Sequence, residues 1–302
     1  MDANERLQRA RITLEGLSVG DAFGGFFEFN ATMVRLIVER KLPPTPWHYT
    51  DDTNMALSVF QILRQQGEID QDALAASFAE HFDPMRGYGV GVRTMLSRMS
   101  KGEPWRDIAQ EMFWGEGSFG NGGAMRIAPL GAYFADDLDK LVEQTILATE
   151  VTHTHTEGIA GAIAIAVATA YAWRMREEPI NCEYFITQII PHIPEGEVYD
   201  GVRRARDLPP DITVEEAATV LGNGSRVSAQ DTVPFVLWCA GHNLNNFEEA
   251  IWQSASALGD VDTTCAMVGG IVASHTGLDA VPIEWQRYRE RLPEWALRAS
   301  SE

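Results

Sequence analysis

The 302-residue chain predicts an all-α fold, and three features of the sequence carry that expectation. Apolar residues recur at helical spacing nearly throughout, no alternating apolar-polar run competes with them, and the interruptions are short clusters of Gly, Pro or Asn. A first amphipathic helix ends near residues 20–28. Met55, Val59, Ile62 and Leu63 then fall at i, i+4, i+7 and i+8, one stripe of a second helix. Leu138, Leu141, Val142 and Ile146 mark another. Residues 158–173 are uncharged and Ala-rich but fall short of the roughly 20 apolar residues a spanning helix needs, so they predict a buried core helix. Phe247, Ala250, Ile251 and Leu258 form a further stripe, followed by the apolar run 266–273. The breaks are Leu42-Pro43-Pro44-Thr45-Pro46, residues 115–123, Pro209-Pro210-Asp211 and Gly222-Asn223-Gly224, none long enough to be an interdomain linker. No self-similarity at the 20–50 residue scale points to a solenoid. The expectation is one compact domain over residues 1–302, built from about a dozen helices.

Composition narrows the function. With 24 Lys+Arg against 43 Asp+Glu the net charge is −19, the wrong sign for a protein that grips a phosphate backbone broadly. The three cysteines, Cys182, Cys239 and Cys265, lie far apart with no CxxC spacing, which argues against a disulfide framework or a zinc knuckle and fits a reducing compartment. The first eleven residues are polar and lack the apolar core of a signal peptide, so a cytoplasmic protein is expected, without a membrane span.

Five segments could carry chemistry. Thr50-Asp51-Asp52-Thr53 stands just before a helical stripe, and Gly259-Asp260-Val261-Asp262-Thr263-Thr264 stands before another. Thr and Asp at a helix start are ordinary caps, and acids there suit the helix dipole. One cap, however, needs one side chain, and adjacent carboxylates repel unless something offsets them. The repeated trio of two carboxylates and a Thr hydroxyl makes an all-oxygen set suited to hard divalent cations such as Mg²⁺ or Mn²⁺, and a two-metal site is the sharper reading. A third segment runs Gly115-Glu116-Gly117-Ser118-Phe119-Gly120-Asn121-Gly122-Gly123-Ala124-Met125-Arg126. It matches GxGxxG, but no strand precedes it, so the dinucleotide fingerprint is rejected. What remains is either a tight connection or a loop whose free backbone N–H groups cradle phosphate. The fourth, Thr152-His153-Thr154-His155-Thr156-Glu157, places two histidines at i, i+2, which do not share a helix face, so an HExxH-type zinc site fails; an imidazole here could still donate to a phosphate or ribose oxygen. The fifth is Gly20-Asp21-Ala22-Phe23-Gly24-Gly25-Phe26-Phe27-Glu28, where Glu28 follows glycines and aromatics that could hold a carboxylate over a pocket.

Taken in order, these segments resemble the ADP-ribosylglycohydrolase family, metal-dependent hydrolases that remove ADP-ribose from modified acceptors, over about residues 15–276. The resemblance implies a compact, orthogonally packed all-α fold with two Mg²⁺ or Mn²⁺ ions at the centre of a cleft. It implies that Thr50, Asp51, Asp52, Asp260, Asp262 and Thr263 are the metal ligands. Gly117, Ser118, Phe119, Gly120 and Asn121 would wrap the diphosphate and neighbouring ribose, with His153 or His155 on the same ligand and Tyr88 lining the cleft. Glu28 would assist the reaction by positioning water or managing the leaving-group proton, beside Asp52 and Asp262. Three positions depart from the family pattern: Leu258 where Gly is common, Thr156 where Pro is common, and Phe119 where some relatives have Tyr. None removes a ligand. The offset of Glu28 from Asp21 is similar to that of relatives acting on serine-linked and on dinitrogenase-reductase arginine-linked ADP-ribose, so the acceptor stays open, although residues 118–126 look closer to the serine-linked type. The implied partner is an ADP-ribosylated substrate met by a monomer. The alternative is a non-catalytic ADP-ribose-binding or structural relative, against which the retention of Glu28 and all six ligand positions counts.

Overall fold

A computed structural model describes residues 2–28, 34–178 and 180–297; the side chain of Glu28 lies outside the described set. Among the described residues there are eighteen α-helices and no β-strand, only two isolated bridges, Trp47 with Arg289 and Gly120 with Ser228. Twelve of the helices have eight residues or more: α1 (Ala3–Glu28), α2 (Asp51–Gln66), α3 (Gln71–Glu80), α4 (Val90–Met99), α5 (Leu138–Glu150), α6 (Thr156–Arg174), α7 (Cys182–Ile189), α8 (Glu197–Asp207), α9 (Val214–Leu221), α10 (Ala229–His242), α11 (Phe247–Ser256) and α12 (Val261–Thr276). The predicted dozen corresponds to these, and the six remaining helices are single turns or little more.

Local chemistry sets many of the boundaries. Asp70, Asp137, Asn181 and Asn246 each accept a backbone N–H from the first turn of α3, α5, α7 and α11, and Thr213 with Glu216 forms a reciprocal capping box on α9. α2 stops at Gly67, left-handed at φ 78°, whose N–H returns to the Leu63 carbonyl. α8 has no side-chain cap of its own, and Glu157 at the start of α6 supplies one: its two oxygens accept from the N–H groups of Glu197 and Val198, both at 2.8 Å.

The most extensive packing is that of α1 against α12, and its cause is a face of small residues. A Cβ placed on Gly16 would meet Gly269 O at 2.6 Å, one on Gly20 would meet Cys265 O at 2.2 Å, and one on Gly24 would meet Val261 O at 2.4 Å. These glycines are spaced by four along α1 while their partners descend by four along α12. The helices therefore run antiparallel with their backbones in contact, an approach that any side chain would prevent. α6 lies across α12, α10 and α5 with its Ala side chains buried. Its 19 residues are long and apolar enough to cross a membrane, yet most are buried inside the protein, in keeping with the predicted core helix. In the same last turns of α1, Phe23 stacks on Trp285 at 5.0 Å and meets Trp47 and Trp252 edge-on, tying the 283–297 segment to the core.

Gly20→Ala should destabilise the fold by about 1–3 kcal/mol, because its methyl would fall against a main-chain carbonyl that cannot rotate away. Gly89→Ala, whose Cβ would meet nothing within 4 Å, is the control and should cost no more than about 0.5 kcal/mol, because the poorer N-cap that alanine makes on α4 is offset by the freedom its methyl removes from the unfolded chain. Thermal unfolding of both proteins reads the difference, and equal melting temperatures would remove the steric account of the α1–α12 contact.

Candidate active site

Because α1 and α12 touch along their backbones, Asp21 on α1 lies where the first turn of α12 meets the first turn of α2. Asp21 is fully buried. Its carboxylate accepts from the Thr50 N–H at 3.0 Å, the Thr50 hydroxyl at 2.8 Å, the Thr53 N–H at 3.0 Å and the Thr53 hydroxyl at 2.5 Å. Asp21 thus fixes the N-terminus of α2, with the help of an Asp51 N–H that donates to Arg86 O at 2.8 Å.

Asp52 joins the two acidic helix starts. Its Oδ2 accepts from the Thr50 hydroxyl at 3.1 Å and from the Thr263 hydroxyl, across 211 positions of sequence, at 3.4 Å. Oxygens of Asp21, Asp52 and Asp262 lie within 4.8 Å of one another, all three residues buried. Asp262 Oδ1 accepts from the Thr263 N–H at 2.8 Å, and Asp260 Oδ2 accepts from Asn121 Nδ2 at 2.6 Å. The six residues predicted as ligands, Thr50, Asp51, Asp52, Asp260, Asp262 and Thr263, are therefore brought together at two facing helix N-termini.

Electrostatically this cluster is unbalanced. Among the described residues no Lys, Arg or His forms an ion pair with any of its carboxylates. Burial, reinforced by the neighbouring acids, raises Asp51 to about 8 and holds Asp52 and Asp262 well above the ordinary carboxylate range. Asp21 is raised to about 6, again by burial, against which its Thr donors work. Asp52 Oδ1 is buried with no hydrogen-bond partner. A buried, unpartnered carboxylate oxygen beside Asp21, Asp51 and Asp262, whose pKa values are all raised, is a site whose chemistry fits a divalent cation, since an all-oxygen donor set suits such ions.

Beside the cluster opens a cleft of about 510 Å³, lined on one side by Asp51, Asp260, Asp262 and Thr263. The Gly-rich loop also lines it, through Ser118, Phe119, Gly120 and Asn121. Gly117 turns the loop at φ 79°, pressed so closely on Thr154 and His155 that a Cβ would lie 2.1 Å from the Thr154 hydroxyl. Gly120 pairs with Ser228, and the Ala229 N–H donates to Phe119 O at 3.0 Å, fastening this loop to the one before α10.

The two histidines part company. His153 lines the cleft, fully buried, its Nδ1 2.7 Å from the Thr152 hydroxyl; burial, with Arg126 nearby, pushes its pKa down to about 3 and leaves it neutral. His155 is the N-cap of α6, its Nδ1 accepting from the Glu157 N–H, and its ring meets Phe119 edge-on from outside the cleft lining. Tyr88 does not line the cleft as the resemblance implied. Its side chain is buried against Phe82 with its hydroxyl accepting from Asn54 Nδ2 at 2.7 Å, while the flanking Gly87 and Gly89 form the wall. An apolar ring between two glycines is drawn into the core and leaves its backbone at the surface. Glu28 is the last residue of α1, and its side chain lies outside the described residues.

The departures from the family pattern acquire local explanations. Thr156 is the first residue of α6, a position that tolerates proline without requiring it. Leu258 is left-handed at φ 57°, a conformation natural to glycine. Phe119 stacks with Phe113 at 6.0 Å, so its ring face is used even without a hydroxyl. Sequence reasoning did not single out Asp21 as a site residue, nor Phe113, Arg226 and Val227, which also line the cleft. For Asp21 a signal existed, an acid inside an otherwise apolar helical run; for the others none did.

Fold and site together define a glycohydrolase: residues 2–301 match the family model described as ADP-ribosylglycohydrolase, and the chain belongs to that family. Among its relatives, human ADP-ribosylhydrolase ARH3 is 31% identical over 99% of this chain and 94% of its own length. ADP-ribosylarginine hydrolase Tri1 of Pseudomonas putida is 25% identical over 93% of this chain and 74% of its own. A solved structure titled an ADP-ribosylglycohydrolase-related protein complex superposes with a TM-score of 0.67 at 25% identity, covering 95% of this chain and 94% of that one.

A pH dependence follows from His153. Its folded pKa, about 3, lies below the unfolded value near 6.5, so the unfolded chain takes up the proton first as pH falls. The stability contributed by the neutral ring is complete above pH 6.5 and declines below it. Relative to His153→Gln, the wild type should lose up to about 1.4 kcal/mol per pH unit between pH 6 and pH 4. Denaturant titrations of the two proteins across that range measure it, and parallel curves would contradict a buried neutral imidazole.

Proposed function

We propose that the chain hydrolyses the bond joining the anomeric carbon of the distal ribose of ADP-ribose to its acceptor, using two divalent cations, Mg²⁺ or Mn²⁺, held by Thr50, Asp51, Asp52, Asp260, Asp262 and Thr263. The observation that carries this reading is the convergence of two distant acidic helix starts around the unpartnered Asp52 Oδ1, with no ion pair to a Lys, Arg or His among the described residues. The cations would orient the ribose hydroxyls and supply a water of lowered pKa for attack as oxocarbenium character develops. The chain's own groups supply the rest. Asp21 holds the N-terminus of α2 in register through four donors, so Thr50 and Asp52 are presented in one geometry. Asn121, bonded to Asp260, ties the Gly-rich loop to the acidic cluster and sets the distance from the ribose to the diphosphate. Ser118, Phe119, Gly120 and Asn121 line the cleft, and the neutral His153 ring, its Nδ1 engaged by Thr152, faces Gly120 and Gly122 with Nε2, where it can meet a ligand oxygen. The paired rings of Phe113 and Phe119 offer a flat face at the far end for a base. Glu28 would act on the leaving group, whose favoured type is serine-linked on the resemblance of residues 118–126.

Asp52→Ala and Asp262→Ala should each lower turnover by at least about a hundredfold, and Asp21→Asn, which disturbs Thr50 and Thr53, by about ten- to a hundredfold. The assay is release of ADP-ribose from serine-, arginine- and nucleic-acid-linked conjugates with and without EDTA. Turnover that survives EDTA in the wild type, or an Asp262→Ala enzyme of near-normal rate, would overturn the two-ion scheme, and tight ADP-ribose binding with no release from any conjugate would favour a binding protein instead.

A further inference from the structure

Every titratable group that faces the cleft from the cluster side is an acid, and the protein as a whole is strongly anionic. A diphosphate entering it meets a repulsive field. Among the described residues only one Lys or Arg lines the cleft, and it is Arg226, on the loop between α9 and α10. Its backbone is fixed while its guanidinium is not. The Arg226 N–H donates to Asp231 Oδ2 at 2.9 Å, and the next N–H, that of Val227, turns back to Gly224 O at 2.6 Å with Val227 left-handed at φ 52°. Gly224 is pressed against Asp260, where an added Cβ would come within 2.5 Å of the Asp260 Cβ, and Ser228 pairs with Gly120. The loop is thereby anchored both to the acidic cluster and to the Gly-rich loop. The side chain, by contrast, is 83% exposed, and its nearest acid, Asp231 Oδ1, is 3.8 Å from Nε, the longest of the ion pairs in the molecule's described part.

We infer that Arg226 is the arm that binds the diphosphate: on ligand entry its guanidinium leaves Asp231 and pairs with the phosphate oxygens, making this chain selective for the diphosphate-bearing form of its ligand. The inference rests on the ADP-ribose reading of the cleft. Arginine suits the task because its planar fork matches phosphate oxygens bidentately, and an anchored backbone lets only the side chain lose freedom on binding. Arg226 also lines a second cavity. That second cavity, of about 720 Å³, carries Glu197, Asp200, Glu215 and Asp231 together with Arg204.

The test is calorimetric titration of the Mg²⁺-loaded, full-length protein with ADP-ribose, for wild type, Arg226→Lys, Arg226→Ala and Arg226→Glu at two NaCl concentrations. Binding should weaken roughly five- to tenfold in the Ala variant and further in the Glu variant, with Lys, which keeps the charge without the fork, recovering only part of it. The wild type should lose more affinity on raising NaCl than the Ala variant does, because only the wild type has the screened charge contact. All four should melt together, since the side chain is exposed. Equal affinities across the series, or an unchanged salt dependence in the Ala variant, would overturn the role of Arg226. A wild type that binds no ADP-ribose would instead overturn the reading of the cleft, and the first titration separates that case from the other.

Discussion

The contact on which the rest of the molecule depends is the backbone-to-backbone approach of α1 and α12. Glycines at 16, 20 and 24 remove the side chains that would hold these helices apart, so the carbonyls of Val261, Cys265 and Gly269 lie against α1 itself. Two ordinarily packed helices sit about 8–10 Å apart. In the observed packing Asp21 bonds the threonines of α2 while its carboxylate lies within 4.8 Å of that of Asp262. Steric permission at three positions therefore becomes a chemical arrangement at a fourth. The aromatic group around Phe23 reinforces it by locking the last turns of α1 against Trp285, Trp252 and Trp47.

That geometry creates an electrostatic debt the polypeptide does not settle. Hydroxyls of Thr50, Thr53 and Thr263 and the N-terminal dipoles of α2 and α12 all face the carboxylates, and each contributes in the stabilising direction. Desolvation nonetheless dominates, as the raised pKa of each of Asp21, Asp51, Asp52 and Asp262 indicates. The buried cation nearest at hand, Arg126, is committed elsewhere: it donates to Ala148 O, lies 4.7 Å over the Phe78 ring, and burial lowers its pKa to about 9. A protein built only for stability would put an arginine among these acids or replace them with apolar residues. Among the described residues no arginine pairs with these acids, and the acids are retained.

How much of this is legible in the sequence depends on whether the signal is local. The all-α class follows from apolar spacing, and the two acidic helix starts stand out because each has one carboxylate more than a cap needs. Their meeting could be proposed from that excess charge, since both sets needed the same remedy. Asp21 was harder to assign because its partners are the donors of another helix, and nothing within α1 reveals them. The separation of His153 from His155 likewise depends on which one the α6 N-terminus recruits as its cap, a decision made by the turn at residues 152–155 and not by composition. Tyr88 misled for a physical reason: a glycine-flanked aromatic can present either its ring or its backbone, and here Asn54 and Phe82 claim the ring.

Backbone strain is distributed to match. Among the described residues five non-glycine residues have positive φ, and three of them, Phe113, Val227 and Leu258, border the cleft or directly precede the Gly259-Asp260 ligand segment, with Trp114 adjoining Phe113. Each left-handed leucine, valine or aromatic costs about 1–2 kcal/mol against the right-handed alternative, and such residues persist only where the surroundings fix them. The fixing contacts are visible: Asn223 O accepts from Asp260 N–H, Asn223 Nδ2 donates to Ala257 O, and Gly224 N–H donates to Asp231 O. These bonds tie the 222–228 loop to the turn before α12, so the strained Val227 and Leu258 are held by one shared network. Relaxing either residue would shift Asp260, through Asn223 or through the chain itself, away from Asn121 and hence from the Gly-rich loop. The strain is thus placed where movement would separate the acidic half of the cleft from its ligand-cradling half, and the helical core, where apolar burial is greatest, carries none of it.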